Sequence, residues 1–136
     1  MRITRVYRFS ASHRLHTASL SPARNSELYG KCNNPYGHGH DYILHISLNG
    51  EPDCDTGRLV SLGALDRYVQ RTLLSMYDHS DLNIDVPGFV GVPTTENLAI
   101  DSDQRLRAGW PFAPVSLERV FIQETGRNSI ELRKAN

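Results

Sequence analysis

Residues 30 to 42 read Gly-Lys-Cys-Asn-Asn-Pro-Tyr-Gly-His-Gly-His-Asp-Tyr, and they bring one thiol and two imidazoles close together in the chain. On an extended strand, successive side chains point to opposite faces, so His38 and His40 point the same way. Two imidazoles on one face of a strand can share a metal ion. This stretch therefore predicts part of a zinc site, with Cys32 nearby as a group that moves a proton.

The clearest period-two pattern of the chain begins at His38. The even positions from 38 to 48 are His, His, Tyr, Leu, Ile and Leu, whereas the odd positions include Asp41 and His45. Such alternation predicts a half-buried strand with the histidine pair at the start of its core-facing side. His45 has the opposite parity, so we exclude it from the site, and we also exclude His16, which lies in a polar segment.

Residues 2 to 13 predict a first strand, in which most apolar side chains share one parity with His13 and only Arg5 departs from the pattern. Taken alone, His13 has a simpler interpretation as a core histidine bonded to the backbone. Taken with His38 and His40, it gives zinc three nitrogen ligands and leaves one position open. An open position is typical of a catalytic rather than a structural zinc site.

Cys32 has two interpretations. It can complete a structural site as a fourth zinc ligand. It can instead accept a proton, which requires a nearby cation such as His79 or the metal to lower its pKa. Cys54 lies in a turn-forming segment and is predicted to be an exposed thiol without a catalytic role, and both cysteines are expected to be reduced.

The remaining segments predict helices, loops and strands in a simple order. Residues 17 to 31 predict a long loop, and residues 61 to 77 predict a helix capped by Ser61. Asp78 and His79 follow its C-terminal end, where the helix dipole favours a protonated imidazole. A second helix opens at Thr94 or Thr95, and Asp101-Ser102-Asp103 is expected to interrupt its apolar face.

Two strands are predicted near the C-terminus, at residues 115 to 125 and 129 to 133. Glu124 is in register with the apolar residues of the first, so it lies at an exposed strand end or in a pocket that offers donors. The element order predicts one α+β domain over residues 1 to 136, with a four-stranded antiparallel sheet and two helices on one face. Its unpaired sheet edges favour an oligomer.

Charge and hydropathy exclude several function classes. Fifteen basic and fifteen acidic residues cancel, and no basic run predicts binding to nucleic acid or to an anionic membrane. No apolar run approaches the roughly 20 residues that span a bilayer, and the N-terminal residues do not resemble a signal peptide. We therefore expect a cytoplasmic protein with a small-molecule partner.

Five short blocks stand out along the chain: Phe-Ser-Ala-Ser-His-Arg-Leu at 9 to 15, Gly-Lys-Cys-Asn-Asn-Pro-Tyr-Gly-His-Gly-His at 30 to 40, Asp-His-Ser-Asp-Leu-Asn at 78 to 83, Pro-Thr-Thr-Glu-Asn at 93 to 97 and Glu-Thr at 124 to 125. In this order and spacing the sequence resembles the 6-pyruvoyl tetrahydropterin synthase family. One block alone is a weak signal, whereas five in register across nearly the whole chain are specific.

The resemblance implies a tunnelling fold, in which the sheets of three subunits close a β-barrel and two trimers stack as a homohexamer. It also implies an enzyme, a zinc-dependent carbon-oxygen lyase. The implied reaction converts 7,8-dihydroneopterin triphosphate to 6-pyruvoyl tetrahydropterin with elimination of triphosphate.

The resemblance also implies roles for individual residues. His13, His38 and His40 match the zinc ligands of the family, and Cys32 matches its catalytic cysteine. The pair that relays protons with this cysteine, expected from a neighbouring subunit, corresponds to Asp78 and His79. Pterin contacts correspond to Thr94, Thr95, Glu96 and Glu124.

Three alternatives stay open. The queuosine-pathway enzyme 6-carboxytetrahydropterin synthase uses the same substrate, but its members usually have a shorter spacing than the five residues between Cys32 and His38 here. A zinc hydrolase would need the histidines but not Cys32, and a non-catalytic pterin-binding protein would release no triphosphate. The groups that hold the triphosphate are not specified by the resemblance, and Arg14, Arg24 and Lys31 are candidates by charge and proximity.

Overall fold

The computed structural model describes residues 1 to 135 and has an α+β architecture with one sheet. The strands follow the order β3-β1-β2-β4-β5 across the sheet. Their bounds are β1 Arg2–His13, β2 His38–Asn49, β3 Ser80–Asp81, β4 Ser116–Thr125 and β5 Asn128–Arg133. The bounds predicted for β1, β2, β4 and β5 are thus confirmed to within one residue at each end.

β1 and β2 form the longest strand pair of the sheet. The two strands run antiparallel over their full length, from Arg2 opposite Asn49 to His13 opposite His38. The even residues of β2 from Tyr42 to Leu48 are buried, as the period-two pattern predicts. In this register, the buried apolar side chains and the three histidines lie on the same face of the sheet.

The expected number of four strands is wrong, because the sheet in the described residues has five. The additional strand, β3, pairs in parallel with the end of β1. It is held by backbone bonds from the His79 amide to the Ser10 carbonyl at 2.6 Å and from the Leu82 amide to the Ser12 carbonyl at 2.8 Å. Two residues are too few to show a period, so the sequence could not predict this strand.

The loop predicted for residues 17 to 31 is also wrong, because it contains helix α1 (Pro22–Tyr29) and a 3₁₀ turn (Gly30–Asn33). Ser21 caps α1 through its hydroxyl, which accepts from the Arg24 amide at 3.2 Å. Pro22 stands at the first helical turn, where its missing N–H costs nothing. The turn-forming residues of this segment therefore start a helix.

The predicted helix at residues 61 to 77 is confirmed. α2 (Leu62–Val69) begins at Ser61, whose hydroxyl accepts from the Ala64 amide, and continues through a π-helical segment (Gln70–Leu74) into α3 (Ser75–Tyr77). The buried side of this continuous helix faces the same core as the sheet. With it counted once, the described residues form three helices, so the expected number of two is wrong.

The second predicted helix, α4 (Thr95–Ala108), is confirmed, and polar residues interrupt its buried face at Asp101 and Ser102 as expected, without breaking the helix. Asp101 and Ser102 are buried and bonded: the Tyr77 hydroxyl donates to the Asp101 carboxylate at 2.5 Å and lies 3.2 Å from the Ser102 hydroxyl. Arg105 donates to the same carboxylate at 2.7 Å. A paired polar group is tolerated in a core, so this helix stays continuous.

One apolar cluster joins the sheet to α2, α3 and α4. Its largest fully buried side chains include Tyr42, Leu44, Tyr77, Leu98 and Ile122. Within residues 1 to 135, no helix is both long and apolar enough to cross a bilayer.

Candidate metal and substrate site

The three predicted metal ligands converge at the end of the β1–β2 pair. His13 lies opposite His38, and Ala11 lies opposite His40, so all three imidazoles stand on one face of the sheet. One nitrogen of each lies within 4.8 Å of one nitrogen of the others, and the two Nε2 atoms of His13 and His38 are 3.1 Å apart. Two nitrogens on one tetrahedral zinc are separated by about 3.3 Å, so this donor set fits a metal.

The second ring nitrogen of His13 is fixed by the backbone. Its Nδ1 lies 2.8 Å from the Pro93 carbonyl, and because a carbonyl can only accept, Nδ1 carries the hydrogen. Nε2 then keeps its lone pair for a metal, in the arrangement that orients most metal-binding histidines. Pro93, which begins the block at 93 to 97, was given no role of its own from the sequence, yet its carbonyl orients His13.

The unpartnered atoms of the cluster also fit a metal. His40 Nε2 and His38 Nδ1 are buried and have no hydrogen-bond partner among the described residues. An unpaired buried polar atom costs about 1 to 3 kcal/mol, so such atoms are rare in folded proteins. At His40 Nε2, which lies beside Glu124 in the cluster, metal coordination would remove that cost.

Burial keeps the imidazoles neutral, as metal binding requires. Desolvation is the largest cause that lowers the pKa of His13, His38 and His40 below 6.5. The neighbouring His13 lowers the pKa of His38 further, whereas the carboxylate of Glu124 partly opposes the shift at all three. The ring nitrogens are therefore available as ligands at neutral pH.

Glu124 lies on one side of the histidine cluster. Its Oε1 is 3.5 Å from His13 Nε2 and 3.7 Å from His40 Nε2. Its Oε2 accepts from the side-chain amide of Asn128 at 3.0 Å, and the same amide lies 3.4 Å from the Thr95 hydroxyl. The sequence alone did not single out Asn128, because nothing local in the chain links it to Thr95 or to Glu124.

The other two predicted pterin contacts at the start of α4, Thr94 and Glu96, form no hydrogen bond with Glu124 within residues 1 to 135. Thr94 caps the helix, with its hydroxyl 3.2 Å from the Asn97 amide as the acceptor. Glu96 is exposed, and no hydrogen bond or ion pair joins it to Glu124 or Thr95 within residues 1 to 135. The geometry brings together Glu124 and Thr95, but not Glu96.

Cys32 lies in the 3₁₀ turn and is half-buried. Its carbonyl accepts from the Leu15 amide at 2.8 Å, which ties the turn to the chain just beyond β1. The group of mutually close ligand atoms does not include its thiol. Burial, and then the charge of Glu124, raise the pKa of this thiol above its ordinary value of 9.0.

Asp78 and His79 lie at the sheet edge formed by β1 and β3. Asp78 Oδ1 accepts from the Ser10 amide at 2.9 Å, and its Oδ2 lies 3.7 Å from His79 Nε2. The His79 side chain is 84% exposed, and its φ of 57° is the only positive value at a non-glycine residue in the described chain.

Cys32 and His79 are not brought together within one chain, because they line different clefts. His79 lines a cleft of about 440 Å³ with His40 and Asp41. Cys32 lines another of about 760 Å³ with His38. The histidine cluster borders both clefts, since each is lined by one of its members.

Comparison with known proteins gives one consistent result. The family model described as 6-pyruvoyl tetrahydropterin synthase matches residues 2 to 135. The 6-pyruvoyl tetrahydrobiopterin synthase of Poecilia reticulata is 41% identical over 136 residues, covering 96% of this chain and 88% of that protein. The human protein of the same name is 40% identical over 129 residues, covering 94% and 88%.

Solved structures agree with these sequence relatives. The 6-pyruvoyl tetrahydropterin synthase of Caenorhabditis elegans is similar with a TM-score of 0.91 and 38% identity, over 99% of this chain and 96% of that one. An uncharacterized protein of Wolinella succinogenes, WS1659, has a TM-score of 0.73 at 18% identity over 99% and 98%, which shows a shared fold alone.

Proposed function

The chain belongs to the 6-pyruvoyl tetrahydropterin synthase family, and on that premise we propose that it is a zinc-dependent 6-pyruvoyl tetrahydropterin synthase. Its substrate would be 7,8-dihydroneopterin triphosphate, and its products 6-pyruvoyl tetrahydropterin and triphosphate. The observation that carries the proposal is the convergence of three neutral imidazoles beside Glu124.

The residues present support a division of roles. His13, His38 and His40 would hold zinc, which when bound supplies a Lewis acid beside the hydroxyls of the substrate side chain. Cys32, in the adjoining cleft, would remove a carbon-bound proton. Glu124, oriented by Asn128, would accept hydrogen bonds from the guanidine-like edge of the pterin ring, and Thr95 would add a polar contact.

The thiol of Cys32 needs a closer cation than the basic side chains that line its own cleft, since these do not lower its pKa. Its pKa is raised in the isolated subunit, which opposes base catalysis at neutral pH. We propose that Asp78 and His79 of a neighbouring subunit approach Cys32, and that His79, when it carries a proton and is paired with Asp78, lowers the pKa of the thiol. Their exposure at a sheet edge is consistent with such sharing.

The same arrangement favours the expected assembly. β3 and β5 are the edge strands of the sheet, and unpaired edges are usually covered or paired in stable proteins. We propose that subunits join at these edges into trimers that close a β-barrel, and that two trimers form a homohexamer. We also propose that residues 1 to 136 act as one domain and that the enzyme is cytoplasmic.

The specific alternative is 6-carboxytetrahydropterin synthase, which would share the fold and the metal ligands. The spacing of five residues between Cys32 and His38 favours the pyruvoyl reaction. A shift in the position of the thiol would change which carbon of the substrate side chain loses its proton. The choice therefore depends on the position of Cys32 and not on the histidines.

Incubation of the zinc-loaded protein with 7,8-dihydroneopterin triphosphate, followed by mass identification of the pterin, tests the proposal. A product that keeps the three-carbon side chain, with release of triphosphate, supports it. A 6-carboxy product with acetaldehyde would instead identify the queuosine-pathway reaction. Tight pterin binding without any triphosphate release would indicate a non-catalytic binding protein.

A further inference from the structure

The cleft that contains Cys32 has a basic lining. Arg14, His16 and Lys31 line it, and its lining in the described residues contains no carboxylate. Neither Arg14 nor Lys31 forms an ion pair with any acidic side chain in residues 1 to 135. A concave surface with uncompensated positive charge raises the local concentration of anions.

Asn33, next to Cys32, holds two of these groups in place. Its backbone carbonyl accepts from Arg14 Nε at 3.0 Å. Its side-chain Nδ2 donates to the Leu15 carbonyl at 2.7 Å and lies 3.0 Å from His16 Nδ1. Asn33 is buried, so one ordered residue sets the positions of both Arg14 and His16 relative to the thiol.

These bonds also fix the tautomer of His16. The Leu15 carbonyl can only accept, so the amide of Asn33 presents its nitrogen on this side. His16 Nδ1 must then accept from Asn33, which places the hydrogen of the neutral ring on Nε2. No group within residues 1 to 135 accepts a hydrogen bond from that Nε2–H, which leaves it available to a ligand. His16 lines both this cleft and a neighbouring cavity near Pro93.

The cleft and Glu124 contact different members of the histidine cluster. His38 belongs both to the cluster and to the cleft, whereas Glu124 contacts His13 and His40 and does not line the cleft. A ligand that has its ring at Glu124 and its side chain across the cluster would extend its far end past Cys32. In a pterin triphosphate, that far end is the phosphate chain.

We propose that Arg14, His16 and Lys31 form a phosphate subsite that binds the triphosphate chain, with Asn33 as its positioning residue. This assignment rests on the proposed function, and it includes a histidine that sequence analysis excluded from the site. It also distinguishes Arg14 and Lys31 from Arg24, the third basic residue that was a candidate for holding the triphosphate. Arg24 does not line the cleft, and its guanidinium lies 3.8 Å from Glu27.

Calorimetric titration with inorganic tripolyphosphate tests the subsite without turnover. The probe is added to the zinc-loaded protein, and bound zinc is measured before and after, because the probe itself chelates metals. Replacing Arg14 by Gln should weaken binding about tenfold or more, since hydrogen bonds to charged groups are among the stronger ones. The matched charge control, Arg24→Gln, should change the affinity by less than about twofold.

Two substitutions at His16 separate ligand binding from a structural role. His16→Asn can keep an acceptor near the position of Nδ1, and thus the bond from Asn33, but removes the Nε2–H donor. It should weaken tripolyphosphate binding about tenfold while the thermal midpoint changes little. His16→Gln places an amide N–H near the position of Nε2 and should restore most of the affinity.

Three results would overturn the subsite: no tripolyphosphate binding by the native protein, equal affinity in the Arg14→Gln and Arg24→Gln variants, or equal loss in both His16 variants. Titration with phosphate-free 7,8-dihydroneopterin serves as the reference and should be unaffected by these substitutions. Failure of the proposed function would give a different result. The native protein would still bind tripolyphosphate but would release no triphosphate from 7,8-dihydroneopterin triphosphate.

Discussion

The metal-binding histidines and Cys32 are close in the sequence but are held by different means. His13, His38 and His40 are placed by the backbone ladder between β1 and β2. Cys32 lies in a short 3₁₀ turn that depends on the side chain of Asn33 and one bond to Leu15. A ladder of many bonds sets ligand positions firmly, whereas the turn that carries the thiol is held by a few bonds, most of which involve Asn33.

The largest effect is expected from removing a metal ligand. His13→Ala should lower bound zinc from about one per chain to nearly none, and activity should fall at least about a thousandfold. Metal analysis and triphosphate release measure the two effects. His45→Ala is the control, because that imidazole packs at a tilt against Phe121 and is not part of the cluster. Stoichiometric zinc in His13→Ala would contradict the ligand assignment.

Removing the thiol should affect activity but not metal content. Cys32→Ala is expected to lower kcat about 10²- to 10⁴-fold, the range typical of a lost general base. Zinc should remain at the native level, as measured by metal analysis of the same sample. Retained activity would instead favour a zinc hydrolase, and lost zinc would make Cys32 a fourth ligand.

Asn33→Ala should show how far the turn depends on one side chain. The change leaves the Leu15 carbonyl and His16 Nδ1 without their donor, which should cost about 1 to 3 kcal/mol of unfolding free energy. Urea denaturation measures this loss. Asn49→Ala, at the exposed end of β2, should change it by less than about 0.5 kcal/mol. Equal stability of both variants would show that the turn is held by other contacts.

In the metal-free protein, the contribution of the histidine cluster to stability should change at acidic pH, and that of Cys32 at alkaline pH. The folded pKa of each clustered histidine lies below 6.5, so the unfolded chain binds more protons at mildly acidic pH. Their stabilising contribution is complete above about pH 6.5 and is lost as the pH falls toward the folded values.

Cys32 behaves in the reverse sense, because its folded pKa is raised above 9.0. Its contribution is present below that value and is lost as the pH rises through the folded pKa. Thermal midpoints measured across pH should therefore fall on both flanks, and Cys32→Ser should reduce only the alkaline change. An unchanged alkaline flank in that variant would show that the thiol titrates normally.

The same contrast explains what could be predicted from the sequence. The strands that carry the histidines follow from alternation alone, and parity correctly grouped His13 with His38 and His40. The contacts of Asn33, Asn128 and Pro93 join residues far apart in the chain, so no local pattern reports them. Helix α1 was missed for another reason, because Ser21 and Pro22 are equally typical of turns and helix starts.

The positive φ of His79 is unfavourable for any residue other than glycine. A side chain in the left-handed region costs roughly 1 kcal/mol or more relative to glycine, and here the conformation is held by the bonds of Asp78 and His79 to Ser10. A protein selected for stability alone would have glycine at position 79. The left-handed backbone at His79 therefore lowers the stability of the fold, and strain of this kind clusters at functional sites.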